Sequence, residues 1–252
     1  MTLAGYDLIL AGRLNGVSLA LEPGQVIAIC GPNGAGKSSL LASLAGLIAP
    51  ASGAVELEGR PLATLPPRNR ARAIGYLPQD GEVAWNLSVE TLVGLGRLPW
   101  DEGAAADRQA VETALTALDL GGLRGRPLSR LSGGERARAL FARVLAGTPR
   151  WLLADEPLAN LDLAHQQALL AQFRALAGQG LGVVLVLHDL ALAMNHADRV
   201  IVLEQGAVAA DGAPEAALDS ATIRRVWNTE ARWLGDHGQR ALVIGPTSAR
   251  VP

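Results

Sequence analysis

The sequence predicts an α/β protein, a mainly parallel sheet covered by helices on both faces with a helical lobe inserted into it. Three observations carry that prediction. An apolar run, Val26 to Cys30, passes through a Gly-rich loop into an apolar-periodic helix pattern at Leu40, Leu41, Leu44 and Leu47. Two further apolar runs, Trp151 to Ala154 and Val183 to Leu187, each end in polar residues, as strands do when they deliver side chains to one edge of a parallel sheet. Between residues 82 and 147 the strand pattern gives way to helical periodicity.

In chain order, residues 1–30 read as short strands. Leu14 to Leu21 alternates, Glu22-Pro23-Gly24 turns, and Val26 to Cys30 is a buried strand. After the first helix, Ala51-Ser52-Gly53 turns into a strand at Ala54 to Leu57, and Glu58-Gly59-Arg60-Pro61 turns again. Ile74 to Leu77 is a strand closed by Pro78-Gln79. Ser88 to Gly94 and Asp107 to Leu118 are helical, and Gly121-Gly122 ends the second run. Ala164 to Gly178 and Leu190 to Ala197 are helices on either side of the strand Gly182 to Leu187. Val200 to Leu203 and Ala207 to Ala210 form a hairpin about Gln205-Gly206, and the tail from Ala221 onward is short and mixed.

Composition bounds the function. The 252 residues are 49% hydrophobic and 18% charged, with a formal net charge of −2, so the total gives no sign of a polyanion-binding surface. Mean hydropathy is +0.22, yet no stretch of about 18 apolar residues runs free of charges and turn formers. Met1 to Leu10 lacks a basic region ahead of an apolar run, which argues against a signal peptide. Cys30 is the single cysteine, so no intrachain disulfide forms, consistent with a reducing compartment.

The Gly-rich loop, Gly31-Pro32-Asn33-Gly34-Ala35-Gly36-Lys37-Ser38, fits G-x-x-x-x-G-K-[ST] in a strand–loop–helix context. Its glycines let consecutive N–H groups point at phosphate oxygens, and the following helix N-terminus adds partial positive charge. Lys37 supplies a point charge between terminal phosphates, and the Ser38 hydroxyl is placed to hold Mg²⁺. Asp155 ends an apolar strand and is placed to hold the same cation. Glu156, one residue on, is placed to orient or deprotonate an attacking water. His188 ends another strand, where it would hydrogen-bond a γ-phosphate or the water. Gln79, where the core gives way to the lobe, is an amide that can reach Mg²⁺ or the water; a plain polar loop residue is the alternative. His165, His196 and His237 show no metal-ligand spacing with each other or with Cys30 and read as surface or packing residues.

Leu131-Ser132-Gly133-Gly134-Glu135 opens a helix that continues through Ala137, Leu140, Phe141, Val144 and Leu145. Ser132 and Glu135 have capping-box spacing. Two glycines in a first turn weaken a helix, but they leave bare N–H groups that suit an anion. The chain already spends its phosphate loop at 31–38, so the second site contacts a nucleotide held by another copy, in a head-to-tail dimer with ATP at the interface.

These residues resemble the ATP-binding subunit of ABC transporters over essentially the whole chain. GPNGAGKSS is similar to that family's Walker A, YLPQD at 76–80 to its Q-loop, LSGGE to its signature and WLLADEP at 151–157 to Walker B with its catalytic glutamate. Ala159-Asn160-Leu161-Asp162 is similar to the D-loop and Leu187-His188-Asp189 to the switch histidine. Leu95-Gly96-Arg97-Leu98-Pro99-Trp100 and LLADEPLANLDLAHQ are similar to importers of ferric siderophores, haem and cobalamin. The chain departs from the pattern in four places. Tyr6 does not align with the usual adenine-stacking aromatic, Ser39 replaces the commoner Thr, Glu135 the commoner Gln and Asn160 a commoner small residue.

The resemblance implies a P-loop NTPase (RecA-like) core at 1–81 and 148–252, with an N-terminal antiparallel β subdomain and an inserted α-helical subdomain at 82–147. It implies ATP and Mg²⁺ as cofactors. The nucleotide is bound by Asn33, Gly34, Ala35, Gly36, Lys37, Ser38 and Ser39 of one copy and by Ser132, Gly133, Gly134 and Glu135 of the other. The metal is held by Ser38, Gln79 and Asp155, and catalysis rests on Glu156, His188, Lys37 and Gln79. Implied partners are a second copy, transmembrane permease subunits and, indirectly, a substrate-binding protein, with the chain peripheral on the cytoplasmic face of the inner membrane. Trp85, Leu87, Leu92 and Trp100 are candidates for the permease contact, lobe core being their alternative. The rival is a soluble ABC-type ATPase acting on nucleic acid or ribosomes. The acidic balance argues against it, and Arg68, Arg70 and Arg72, its best basic cluster, read as a solvated surface.

Overall fold

A computed structural model of the chain describes residues 2–79, 86–159 and 161–245. Trp85 and Asn160, singled out above, lie outside the described residues, as does the boundary at 81/82. The chain opens with an antiparallel ribbon, β1 (Leu3–Leu10) and β2 (Leu14–Leu21), in which Leu14, Val17, Leu19 and Leu21 turn one face inward. Asp7, at φ 47°, interrupts the alternation of β1 and its N–H donates to Ser18 Oγ. β3 (Val26–Cys30) then enters the core, followed by α1 (Lys37–Leu44). The helix stops at Leu44, so Leu47 is not on its buried face and is 61% exposed. β4 (Ser52–Leu57) and β5 (Arg60–Pro61) extend the ribbon into a four-stranded sheet of order β2-β1-β4-β5.

α2 (Pro67–Ala73) leads into β6 (Ile74–Leu77). Helices α3 (Val89–Gly94), α4 (Ala104–Ala117) and α5 (Gly133–Ala146) follow and pack on one another. The chain then alternates: β7 (Trp151–Asp155), α6 (Leu163–Gly178), β8 (Gly182–Val186), α7 (Leu190–His196), β9 (Arg199–Glu204) and β10 (Ala207–Gly212). These strands build a six-stranded sheet of order β10-β9-β3-β8-β7-β6, parallel except for the β9–β10 hairpin. The tail is more ordered than its sequence pattern shows. After α8 (Pro214–Ala217), it forms α9 (Ser220–Trp227) and a hairpin of β11 (Ala231–Leu234) and β12 (Ala241–Ile244).

The large sheet is buried on both faces. On β3, Ile27 and Ile29 join Leu3, Leu8, Leu40 and Leu44 in the core beneath the antiparallel sheet. Val26, Ala28 and Cys30 face the opposite core. That second core runs without a break from α6 into the lobe, where Phe141 of α5 meets Phe173 of α6 edge to face at 5.1 Å. Leu92 is fully buried there and is therefore lobe core, not a surface for a partner.

Charged groups also hold the lobe together internally, and Arg72 of α2 ties it to the core. Arg97, 5% exposed, donates to Glu102 Oε2 at 2.7 Å, Asp107 Oδ1 at 2.9 Å and the Ala146 carbonyl at 3.2 Å. Its guanidinium and that of Arg72 each lie 4.8 Å from the Trp100 ring centroid. Arg72 Nε also donates to the Pro99 carbonyl, and Trp100 Nε1 to the Gly147 carbonyl, both at 2.9 Å. Arg72 is thus a structural link and not part of a solvated basic surface, and Trp100 is committed inside the chain. Arg97→Met leaves two carboxylates and a carbonyl without their donor. It should lower unfolding free energy by about 2–3 kcal/mol, measured by urea titration, and a loss under about 0.5 kcal/mol, the range of an ordinary surface substitution, would remove the network from the account.

Candidate active site

The site lies at the C-terminal ends of β3, β8, β7 and β6, four adjacent strands. Gly36 caps α1 with φ 98°, a left-handed conformation that side chains resist. A Cβ there would lie 2.3 Å from the Arg13 carbonyl oxygen, so the loop fits beneath the β1–β2 turn only as glycine. The same turn is held by Asn15 N–H to the Gly206 carbonyl at 2.8 Å, and Gly206 N–H donates to the Ala35 carbonyl at 3.1 Å. The first turn of α1 leaves the N–H groups of Lys37, Ser38 and Ser39 without helical partners, the usual setting for an anion.

Asn33, Gly34 and Ser38 are exposed, whereas Ala35, Lys37 and Ser39 are buried. Ala35 packs its methyl into the core and its N–H donates to the Pro32 carbonyl at 3.2 Å. Ser39 is approached by Arg13 Nη1 at 3.5 Å. Lys37 Nζ folds back on its own loop, donating to the carbonyls of Gly31 and Pro32, each at 2.9 Å. Burial pulls its ammonium below the usual lysine range, while Glu156 pushes the other way. Cys30, fully buried beneath the loop, has its thiol pushed up to about 12 by desolvation, which keeps it inert.

Ser38 Oγ donates to Asp155 Oδ1 at 3.1 Å. Asp155 is 5% exposed, and burial raises its carboxyl above the ordinary value despite the Ser38 hydrogen bond. Glu156 follows at φ 49°, a left-handed conformation rare for this residue type. Its Oε2 accepts from Gln79 Nε2 at 2.7 Å, and its Oε1 is in close contact with His188 Nε2. Asp189 caps α7 through the N–H groups of Ala191 and Leu192. The structure therefore gathers Lys37, Ser38, Gln79, Asp155, Glu156 and His188 around one cleft of about 380 Å³. Gly12 and Arg13 line it too. No local pattern marks them in the sequence; only the packing of the β1–β2 turn on Gly36 places them there.

The signature residues lie elsewhere. Ser132 Oγ accepts from Glu135 N–H at 3.2 Å and Glu135 Oε2 accepts from Ser132 N–H at 2.8 Å, a complete capping box. The Ser132 N–H holds the Glu135 carboxyl below its usual range. The N–H groups of Gly133 and Gly134 remain in a first turn that has no helical acceptor for them. Among the described residues, none of Ser132, Gly133, Gly134 and Glu135 lines the cleft around Lys37.

The sequence profile of the ABC transporter family matches residues 14–159. The chain belongs to this family. The hemin import ATP-binding protein HmuV of Nocardia farcinica is 46% identical over 216 residues, 85% of this chain and 75% of that protein. The HmuV of Bordetella avium is 43% identical over 244 residues, covering 92% and 94%. An inward-facing structure of a metal-chelate type ABC transporter aligns over all of this chain and 99% of its own, at 25% identity and a TM-score of 0.83. The chain is thus an ABC ATPase subunit, an ATP-binding component of a transporter complex. No helix among the described residues is long and apolar enough to cross a membrane.

The buried Asp155 gives the cassette a signed pH dependence. An unfolded aspartate loses its proton near about 3.9, whereas the folded one holds it to higher pH. Folding therefore takes up a proton between the two values, and stability falls as pH rises through that window. Asp155→Asn should raise the melting temperature of the nucleotide-free chain by a few degrees at neutral pH, give no gain below the window, and abolish hydrolysis. A neutral-pH melting temperature equal to or below the parent's contradicts this electrostatic account.

Proposed function

We propose that two copies of this cassette bind ATP–Mg²⁺ head to tail and couple its hydrolysis to import of an iron-bearing chelate, haem foremost. The observation that carries the reading is the Glu156 carboxylate held between Gln79 and His188 at the phosphate loop, while the signature turn stands away from that cleft. The hemin-import names of the relatives and the metal-chelate transporter neighbour support the cargo class. They favour haem over siderophore or cobalamin.

A cation fits the donors present. Ser38 Oγ and Asp155 Oδ1 are two hard oxygen donors 3.1 Å apart, and Gln79 Oε1 is a third candidate. Among the described residues no cluster of three His, Cys, Asp or Glu forms a metal cage, which suits Mg²⁺, an ion that takes few protein ligands and keeps water and phosphate oxygens. Bound there, Mg²⁺ would neutralise charge developing on the transferred phosphoryl group.

The residues divide the remaining work. Lys37 exchanges its two loop carbonyls for phosphate oxygens, so the buried ammonium keeps acceptors throughout. Glu156 orients the water and accepts its proton. His188 and Gln79 hold the carboxylate in line, and the same contacts let either residue respond when the γ-phosphate leaves. Ser132, Gly133, Gly134 and Glu135 meet the nucleotide of the second copy. Gln79 and the lobe then face the permease subunits, and the chain sits peripherally on the cytoplasmic side of the membrane, with a substrate-binding protein beyond the permease.

Glu156→Gln should keep nucleotide binding while hydrolysis falls on the order of 100-fold, the scale of a lost general base. In that background ATP should drive a dimer on gel filtration, and Ser132→Arg should abolish it. Full turnover in Glu156→Gln would refute the assigned base, and a dimer that survives Ser132→Arg would refute the head-to-tail arrangement. Identification of the membrane protein that co-purifies with the chain tests the cargo class.

A further inference from the structure

His165 lies in the first turn of α6, three residues after the helix cap Asp162. The Asp162 carboxylate accepts twice from it. The backbone N–H donates to Oδ1 at 2.9 Å, and the ring Nδ1–H donates to the same oxygen at 2.7 Å. These bonds fix the ring orientation through its own helix cap. The ring then reaches across to another element. A Cβ built on Gly134 would lie 2.8 Å from His165 Cδ2 and 3.0 Å from both Cγ and Nε2. Real Cβ atoms essentially never sit so close, so the ring occupies the space that any other residue at 134 would need. Behind the contact lies a cavity of about 160 Å³ bordered by Gly134, His165 and Arg138.

Sequence spacing gave His165 no role beyond surface or packing, and the catalytic cleft does not contain it. Its position is nevertheless informative. The signature turn belongs to the lobe, whereas α6 belongs to the core and is the next helix after β7, the strand that ends in Asp155. We infer that His165 is a positioning residue: its ring, locked by Asp162, is the stop that seats Gly134, so that the first turn of α5 presents its N–H groups outward to the nucleotide of the second copy. The inference rests on the two-copy reading above and adds to it the element that sets the height of the signature turn.

The chemistry accounts for both residue types. A planar ring can lie flat on a bare Cα, and imidazole alone among the small rings also offers an N–H to the cap carboxylate. Glycine at 134 serves two demands at once, the ring on one side and an approaching phosphate on the other. Truncating the ring would open the contact into the neighbouring cavity and let the turn sink away from the interface.

The test uses the full chain in the Glu156→Gln background, where hydrolysis does not blur binding. His165→Ala should raise the ATP concentration for half-maximal dimerisation by about tenfold, the equivalent of ~1.4 kcal/mol. Binding of a fluorescent ADP to the monomer should stay unchanged, since the phosphate loop is untouched. His165→Phe keeps a ring on Gly134 and should lose less than about threefold. In the hydrolysing chain, His165→Ala should raise KM for ATP while saturated kcat changes little. A Glu156→Gln parent that fails to dimerise refutes the two-copy reading itself. A parent that dimerises, with His165→Ala dimerising at the same ATP concentration, overturns the positioning role alone. Equal loss in His165→Phe and His165→Ala also overturns it, because the ring would then not be the stop. Should His165→Ala fail to fold, Gly134→Ala decides: the added methyl must meet the ring, so dimerisation at the parental ATP concentration refutes the contact.

Discussion

Everything at the candidate active site depends on the carboxylate of Glu156 being shared between two neighbouring strands. Gln79 stands just beyond β6, Glu156 just beyond β7 and His188 just beyond β8, and these strands are adjacent and parallel. A parallel sheet brings all its C-terminal strand ends to one edge, so residues 77 and 32 positions from Glu156 reach its two oxygens. The backbone at Glu156 adopts a left-handed conformation to do this. Such geometry costs roughly 1–3 kcal/mol and persists only where the surroundings over-determine it. Here they do: Asp155 before it is buried and bonded to Ser38, and both carboxylate oxygens after it are engaged.

β6 has a second role in this arrangement. The helix before it carries Arg72, which bonds the lobe at Pro99 and stacks on Trp100, and the residue pair after it carries Gln79. The segment from α2 through β6 to Gln79 therefore touches the lobe at one end and the Glu156 carboxylate at the other. The continuous core between α5 and α6 supplies a second path, through Phe141 and Phe173. Because packed helices slide between discrete arrangements and do not deform smoothly, a small change at Glu156 has a physical route to the lobe.

The features legible in the sequence share one property: each is encoded locally. β3, β7 and β8 are five-residue runs with every position buried, so they read as apolar blocks. The phosphate loop and the capping box are set by residues within a few positions of each other. What escaped depends on distant packing. α9 is only eight residues long, and β11 and β12 are four each, too short for either periodicity to declare itself. Arg72 reads as a surface group, and Trp100 as either a partner contact or lobe core, because nothing near them in sequence reveals that one stacks on the other. Leu47 continued a helical period that the chain abandons after Leu44. His165 showed no metal spacing, and the signal that matters, Gly134 opposite it, lies 31 residues upstream.

The two halves of the cleft also make opposite electrostatic demands. On the loop side, a buried ammonium rests on two carbonyls, and a helix start presents N–H groups that lack acceptors. That side calls for an anion. On the strand side, burial of Asp155 makes it hold its proton more tightly than usual, and the adjacent Glu156 carboxylate adds repulsion in the same direction. That side calls for a cation. A lone phosphate would sit against two carboxylates, and a lone dication would sit beside Lys37. A triphosphate carrying its own dication places negative charge against the loop and positive charge against the strand ends together. The polarity built into these few residues would therefore favour a metal–nucleotide pair over either component alone, before any contact with the base.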